Sequence, residues 1–151
     1  MKLNKIGRIL KIILLIGYII AIPVLGYLPF ILKNNISLAS SMFIIYPNGI
    51  LMLGVIYNFI KIFNLLEVNK PFSKEVTKCF KTTSIITLVM SIFWIIDLLF
   101  MVIVLKNHYI NYIIVLIFLA VLFFGVSIAL YLLKELFNQA IEYKEENDLT
   151  I

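Results

Sequence analysis

The chain has 151 residues, 63% of them hydrophobic and 14% charged, with a mean hydropathy of +1.09 and a formal net charge of +5. A soluble globule of this size needs far more polar surface, so the composition excludes that class and assigns the chain to a bilayer. Each crossing of a hydrocarbon core about 30 Å thick takes about 20 helical residues, which leaves no room for a separate soluble domain.

Lys2, Lys5, Arg8 and Lys11 precede a first apolar run over 12–32. Ser37-Leu38-Ala39 beyond it has the small residues a signal peptidase favours, but the apolar stretch is too long for a signal peptide and reads as an uncleaved anchor. Pro23 and Pro29, with Gly17 and Gly26, predict a bend toward its far end. Arg8 is the only arginine beside many Ile, Lys and Asn, a bias expected of an AT-rich bacterial genome.

The second run, 38–60, follows a connection short enough to be a tight hairpin, Lys33 to Ser37. Within it "YPNG", Tyr46 to Gly49, combines Pro47, which frees a backbone carbonyl, with the amide of Asn48. The connector 61–82 then carries Lys61, Lys70, Lys74, Lys78 and Lys81. Asn69 and Pro71 read as a helix cap and first turn. From there Lys70, Lys74, Lys78 and Lys81 share one face, suited to anionic lipid headgroups or a partner at about 1 kcal/mol per basic residue. No helix-turn-helix, zinc-finger or aromatic stacking pattern accompanies them, so direct nucleic-acid binding is not expected.

The third run, 83–105, contains Asp97, the only acidic residue inside a span. A carboxylate at membrane depth must face the bundle interior, and Asp97 lies about 12 Å inside the outer boundary. A hydrogen bond to Asn48, Tyr46 or the freed backbone is the expected arrangement, as a lock between hairpins or as a polar ligand or proton pocket. A second tight turn, Lys106 to Tyr109 with the lone His108, leads to the fourth run, 110–133. The spacing of Leu133, Leu136, Phe137, Ala140 and Ile141 predicts that this helix continues past the membrane. The tail 134–151 closes on Glu145, Glu146, Asn147, Asp148, Leu149 and Ile151, acidic charges set against the lysine face. It either folds back on that face or is presented to a partner.

Eleven Lys and Arg flank the ends that share the two termini, against Lys33 and Lys106 at the other end. By the positive-inside rule both termini and the connector are cytoplasmic. The expected fold is all-α: one polytopic domain of four transmembrane helices in two hairpins, with a cytoplasmic extension of the fourth. The lone Cys79 excludes an internal disulfide. No metal or cofactor set, paired carboxylates, nucleophile with base or phosphate loop appears, so no enzyme and no cofactor are expected.

"NKPF", Asn69 to Phe72, and "KEENDLTI", Lys144 to Ile151, resemble the four-span bacterial proteins grouped as domain of unknown function 2975. The likeness covers the whole chain in span number and motif placement, though the aspartate or glycine-rich lead-in common before the proline motif is absent here. The resemblance implies no established enzymatic activity and a genomic setting beside small helix-turn-helix regulators. The leading expectation is a regulator or scaffold whose tail and lysine face dock such a cytoplasmic partner. The alternatives are an immunity or stress-protection protein that intercepts a membrane-active peptide, and a small transporter or channel subunit, which needs homo-oligomerisation.

Overall fold

The computed structural model describes residues 2–32, 36–68, 72–103 and 110–149. They form four helices: α1 (Lys2–Leu32), α2 (Ile36–Glu67), α3 (Lys74–Ile103) and α4 (Ile110–Leu149). Each is long and apolar enough to cross a membrane, and no strand occurs among the described residues. The chain is an all-helical multi-pass membrane protein.

The helices outlast the apolar runs that announce them. Backbone hydrogen bonding does not stop where the lipid does, so α2 continues to Glu67 and α4 to Leu149. At 1.5 Å per residue the 40 residues of α4 span about 60 Å, twice a hydrocarbon core. The connector is therefore mostly helix ends. α3 opens where the Ser73 carbonyl accepts the Val76 and Thr77 N–H groups at 3.0 and 3.4 Å, with Glu75 in the first turn against the positive end of the helix. The described helix thus starts at Lys74 and not at the Asn69–Pro71 signal. Asn69, Lys70, Pro71, Lys33, Lys106, His108 and Tyr109 lie outside the described residues. α1 stays helical through Pro23 and Pro29, and α2 through Pro47.

Close packing joins α1 to α2, α2 to α3 and, most extensively, α3 to α4, and no other helix pair among the described residues. The two expected hairpins are present, set in an open row with α1 and α4 at the edges. α3 is inverted relative to a soluble helix. Thr83, Ser84, Thr87, Ser91 and Asp97 are buried, while Ile85, Leu88, Ile92, Ile96 and Leu99 face outward. Lipid is as apolar as leucine, so the polar side chains are what gain from facing another helix.

α1 is held at two levels. Near one end α2 and α1 approach closely enough that a Cβ on Gly49 would push the end of the Leu25 side chain aside. At the other end Lys11 Nζ donates to Glu67 Oε2 at 2.8 Å, with Arg8 Nε 3.8 Å from Oε1. Neither ion pair was legible from hydropathy, which assigned Glu67 to a loop.

Candidate functional site

Two regions hold the polar groups that hydropathy leaves unexplained. The first lies inside the membrane, between α3 and its neighbours. Ser84 and Ser127 exchange hydrogen bonds: Ser84 Oγ donates to the Ser127 carbonyl at 3.0 Å and Ser127 Oγ to the Ser84 carbonyl at 2.8 Å. Two turns along, Ser91 Oγ donates to the Ala120 carbonyl at 2.9 Å. Thr83 and Thr87 turn their hydroxyls back onto their own helix, to Cys79 O and Thr83 O. These serines were not anticipated, yet a signal existed: Ser84 and Ser91, like Ala120 and Ser127, are small residues one heptad apart, a spacing that aligns them on one face.

Asp97 is 0% exposed, and neither carboxylate oxygen has a protein partner at hydrogen-bond geometry. Tyr112 of α4 is the side chain turned toward it. Trp94 Nε1, one turn inward, is also buried without an acceptor. The expected bond to Asn48 or Tyr46 is not formed. Asn48 is buried at 3% exposure, but Tyr46 sits on an exposed part of α2. Register explains the miss. Gly54 meets Ile86 across the α2–α3 contact, so antiparallel counting brings Asn48 level with residue 92, about 7–8 Å deeper than Asp97. Depths counted from the ends of two different helices concealed that offset.

The second region is the end of the structure that carries both termini. Ile62, Val76, Cys79, Phe80 and Leu130 form a buried cluster, with Phe59, Leu65, Leu66 and Phe137 packed on it. Phe72, from the connector, packs at a tilt against Phe137 with ring centroids 5.7 Å apart, and Phe80 meets the same ring at 5.2 Å. The Phe137 ring thus ties the connector, α3 and the extension of α4 together through two aromatic contacts. Across the same end Lys74 Nζ lies 3.2 Å from Glu145 Oε1. This ion pair joins the tail to the basic segment of its own chain. Both partners are exposed, so the pair is worth about 0.2–1 kcal/mol, and the rings supply the grip.

The lysine face is preserved in part. Lys74, Lys78 and Lys81 are exposed on α3, while Lys70 lies outside the described residues. Glu145, Glu146 and Asn147 are exposed on the last turns of α4; Asp148 and Leu149 end the helix, and Ile151 lies outside the described residues. Cys79 is buried in the cluster, a small apolar packing residue. The Lys11 ammonium beside Glu67 holds that carboxyl below the usual range for glutamate. The extension of α4 is thus packed against the connector and α3, and its outer surface carries both signs of charge.

A family model described as "Protein of unknown function (DUF2975)" matches residues 3–151. No curated protein and no solved structure matches the chain.

Proposed function

The chain belongs to the family described as DUF2975, and on that premise we propose a non-enzymatic protein of the bacterial cytoplasmic membrane that docks a cytoplasmic partner on its termini-bearing end. The partner in view is a small protein such as a helix-turn-helix regulator, held on Lys70, Lys74, Lys78 and Lys81 and on Glu145 to Ile151. The observation that carries this reading is the aromatic tie of Phe72, Phe80 and Phe137. A tail meant only to end a span has no need of a projection about 30 Å long that is fixed to the connector. Preorganised surface is what makes docking favourable, because little ordering entropy remains to be lost on binding.

Orientation rests on the distribution of Lys and Arg, eleven of which flank this end. The lysine face also meets anionic headgroups in this reading, which sets the height of the projection above the membrane. Crosslinking capture from native membranes tests the proposal, comparing the full chain with one lacking 147–151. Loss of the captured partner with normal membrane insertion is the expected result. Equal capture by both chains contradicts it.

A second reading has one observation in its favour. The buried Asp97 oxygens and the buried Trp94 N–H, three residues apart on α3 and without a partner at hydrogen-bond geometry, are polar groups that a ligand could engage, as an immunity protein or a small transporter requires. There Asp97→Asn abolishes protection or transport, and removing 147–151 has no effect.

A further inference from the structure

We propose that two copies of this chain associate side by side through the outer edge of α4, as a parallel coiled pair that runs from the membrane into the aqueous phase. The edge opposite the α3 contact carries a seam of period 3.5. Inside the span it consists of Phe118, Leu122, Gly125 and Ala129, spaced four, three and four residues apart, all exposed. It continues through Leu132, Leu136, Gln139 and Tyr143 with the same alternation, again all exposed. A sustained alternation of three and four is the period of a left-handed coiled pair, since a straight helix with 3.6 residues per turn drifts off any flat lipid-facing stripe.

An exposed apolar face within a span needs no explanation, because lipid covers it. The continuation does. With about 20 residues needed to cross the hydrocarbon from Ile110, the core ends near residue 130, leaving Leu136 about 9 Å and Tyr143 about 20 Å beyond it. Leu136 is 60% exposed and Tyr143 67% exposed, in line with Leu132 at 56%. Lipid tails do not reach there, and water is a poor covering for such a stripe.

Among the described residues no segment of the same chain covers the seam. α1 is pinned to the opposite edge of the row by Lys11 and Glu67, and the tail as far as Leu149 is part of α4 itself. A second copy fits on three counts. Insertion gives both copies the same orientation, so the pair is parallel and each seam residue meets its own equivalent. In the span, Gly125, where nothing lies within 4 Å of a Cβ, meets Gly125 and lets the backbones approach without a competing side chain. In the aqueous part Gln139 meets Gln139, and a single amide pair in an apolar seam fixes register. The flanking Glu135 and Glu142 precede the Leu136 and Tyr143 positions, and across a parallel pair they face Ala140 and Asn147, so no like charges oppose.

Oxidative crosslinking of the full chain in native membranes tests this, with single cysteines introduced on a Cys79→Ala background. Covalent homodimers are expected for Leu132→Cys, Leu136→Cys, Gln139→Cys and Tyr143→Cys, and not for Lys134→Cys, Asn138→Cys or Lys144→Cys, which lie off the seam. Adding Tyr143→Lys to Leu136→Lys is expected to lower the dimer yield of Leu132→Cys by about tenfold. Every cysteine variant is checked for insertion, and the four seam positions are exposed, so those changes leave the internal packing intact. Equal yields on and off the seam, monomers throughout, or adducts to a different protein at the seam positions each overturn the proposal.

Discussion

Replacing Ser84 and Ser127 separates hydrogen bonding from close approach at the centre of the α3–α4 hairpin. Each serine donates once to the other's backbone carbonyl, at 3.0 and 2.8 Å. Interhelical hydrogen bonds in membranes average about 0.6 kcal/mol with a ceiling near 1.7, so Ser84→Ala and Ser127→Ala are each expected to destabilise by about 0.6 kcal/mol. The double variant then loses about 1.2 kcal/mol, roughly an eightfold change in the unfolding equilibrium. Neither change strands a partner, because both carbonyls keep their own helical bonds. Ser84→Val is different in kind. The side chain is 6% exposed between two backbones, and added bulk there is expected to cost about 1–3 kcal/mol through overpacking, on top of the lost bond. Unfolding in mixed micelles by a denaturing detergent measures all four, with the fluorescence of Trp94, the only tryptophan and itself on α3, as the signal. An alanine variant that costs more than about 2 kcal/mol, or a valine variant as mild as alanine, contradicts this division.

Three further outcomes follow from other contacts. Because the carboxylate oxygens of Asp97 meet no partner at close hydrogen-bond geometry and only Tyr112 is turned toward them, Asp97→Asn is expected to change stability by less than about 1 kcal/mol, whereas a carboxylate locked to a partner shows a loss of about 3–5 kcal/mol in the same detergent titration. Gly49→Ile forces the end of Leu25 aside and is expected to part α1 from α2, read as a lengthened spin-label distance between those helices, while Gly17→Ile, where nothing lies within 4 Å, leaves it unchanged. Glu67 is an acid whose folded value is depressed by the Lys11 hydrogen bond. Its contribution is present above the unfolded carboxyl value, about 4.3, and fades as pH falls through the lower folded value. The α1–α2 distance at the termini-bearing end is thus expected to hold from pH 8 to about 5 and to lengthen only in stronger acid or high salt; lengthening at pH 7 on mild acidification argues against the clasp.

Spans and their pairing were legible because lipid imposes one demand that sequence displays openly, some 20 apolar residues per crossing, and because short connections leave only a hairpin. Hydropathy says nothing about where a helix ends once it has left the lipid. That is why α2 runs to Glu67, inside the connector, while the described α3 starts at Lys74, a few residues after the cap signal at Asn69–Pro71. The continuation of α4 was visible in the spacing of Leu133, Leu136 and Phe137, since in water the 3.6-residue period reappears. The Asp97–Asn48 bond failed for another reason: each depth was sound within its own helix, but the offset between helices is set by packing at Gly54 and Ile86. The serine exchange was hidden by scale. A hydroxyl is nearly neutral in hydropathy, and only its heptad spacing marks Ser84 and Ser127 as contact residues.

The sidedness of the termini-bearing end is the most direct test of the proposed docking role. Lys74→Cys and Glu145→Cys, each on a Cys79→Ala background, report it through a membrane-impermeant maleimide applied to sealed cells. Both positions are exposed and lie across one ion pair, so they must answer alike. The expected result is no labelling until the membrane is opened, then rapid labelling of both. Labelling of either position in intact cells places this end outside and rules out a cytoplasmic partner.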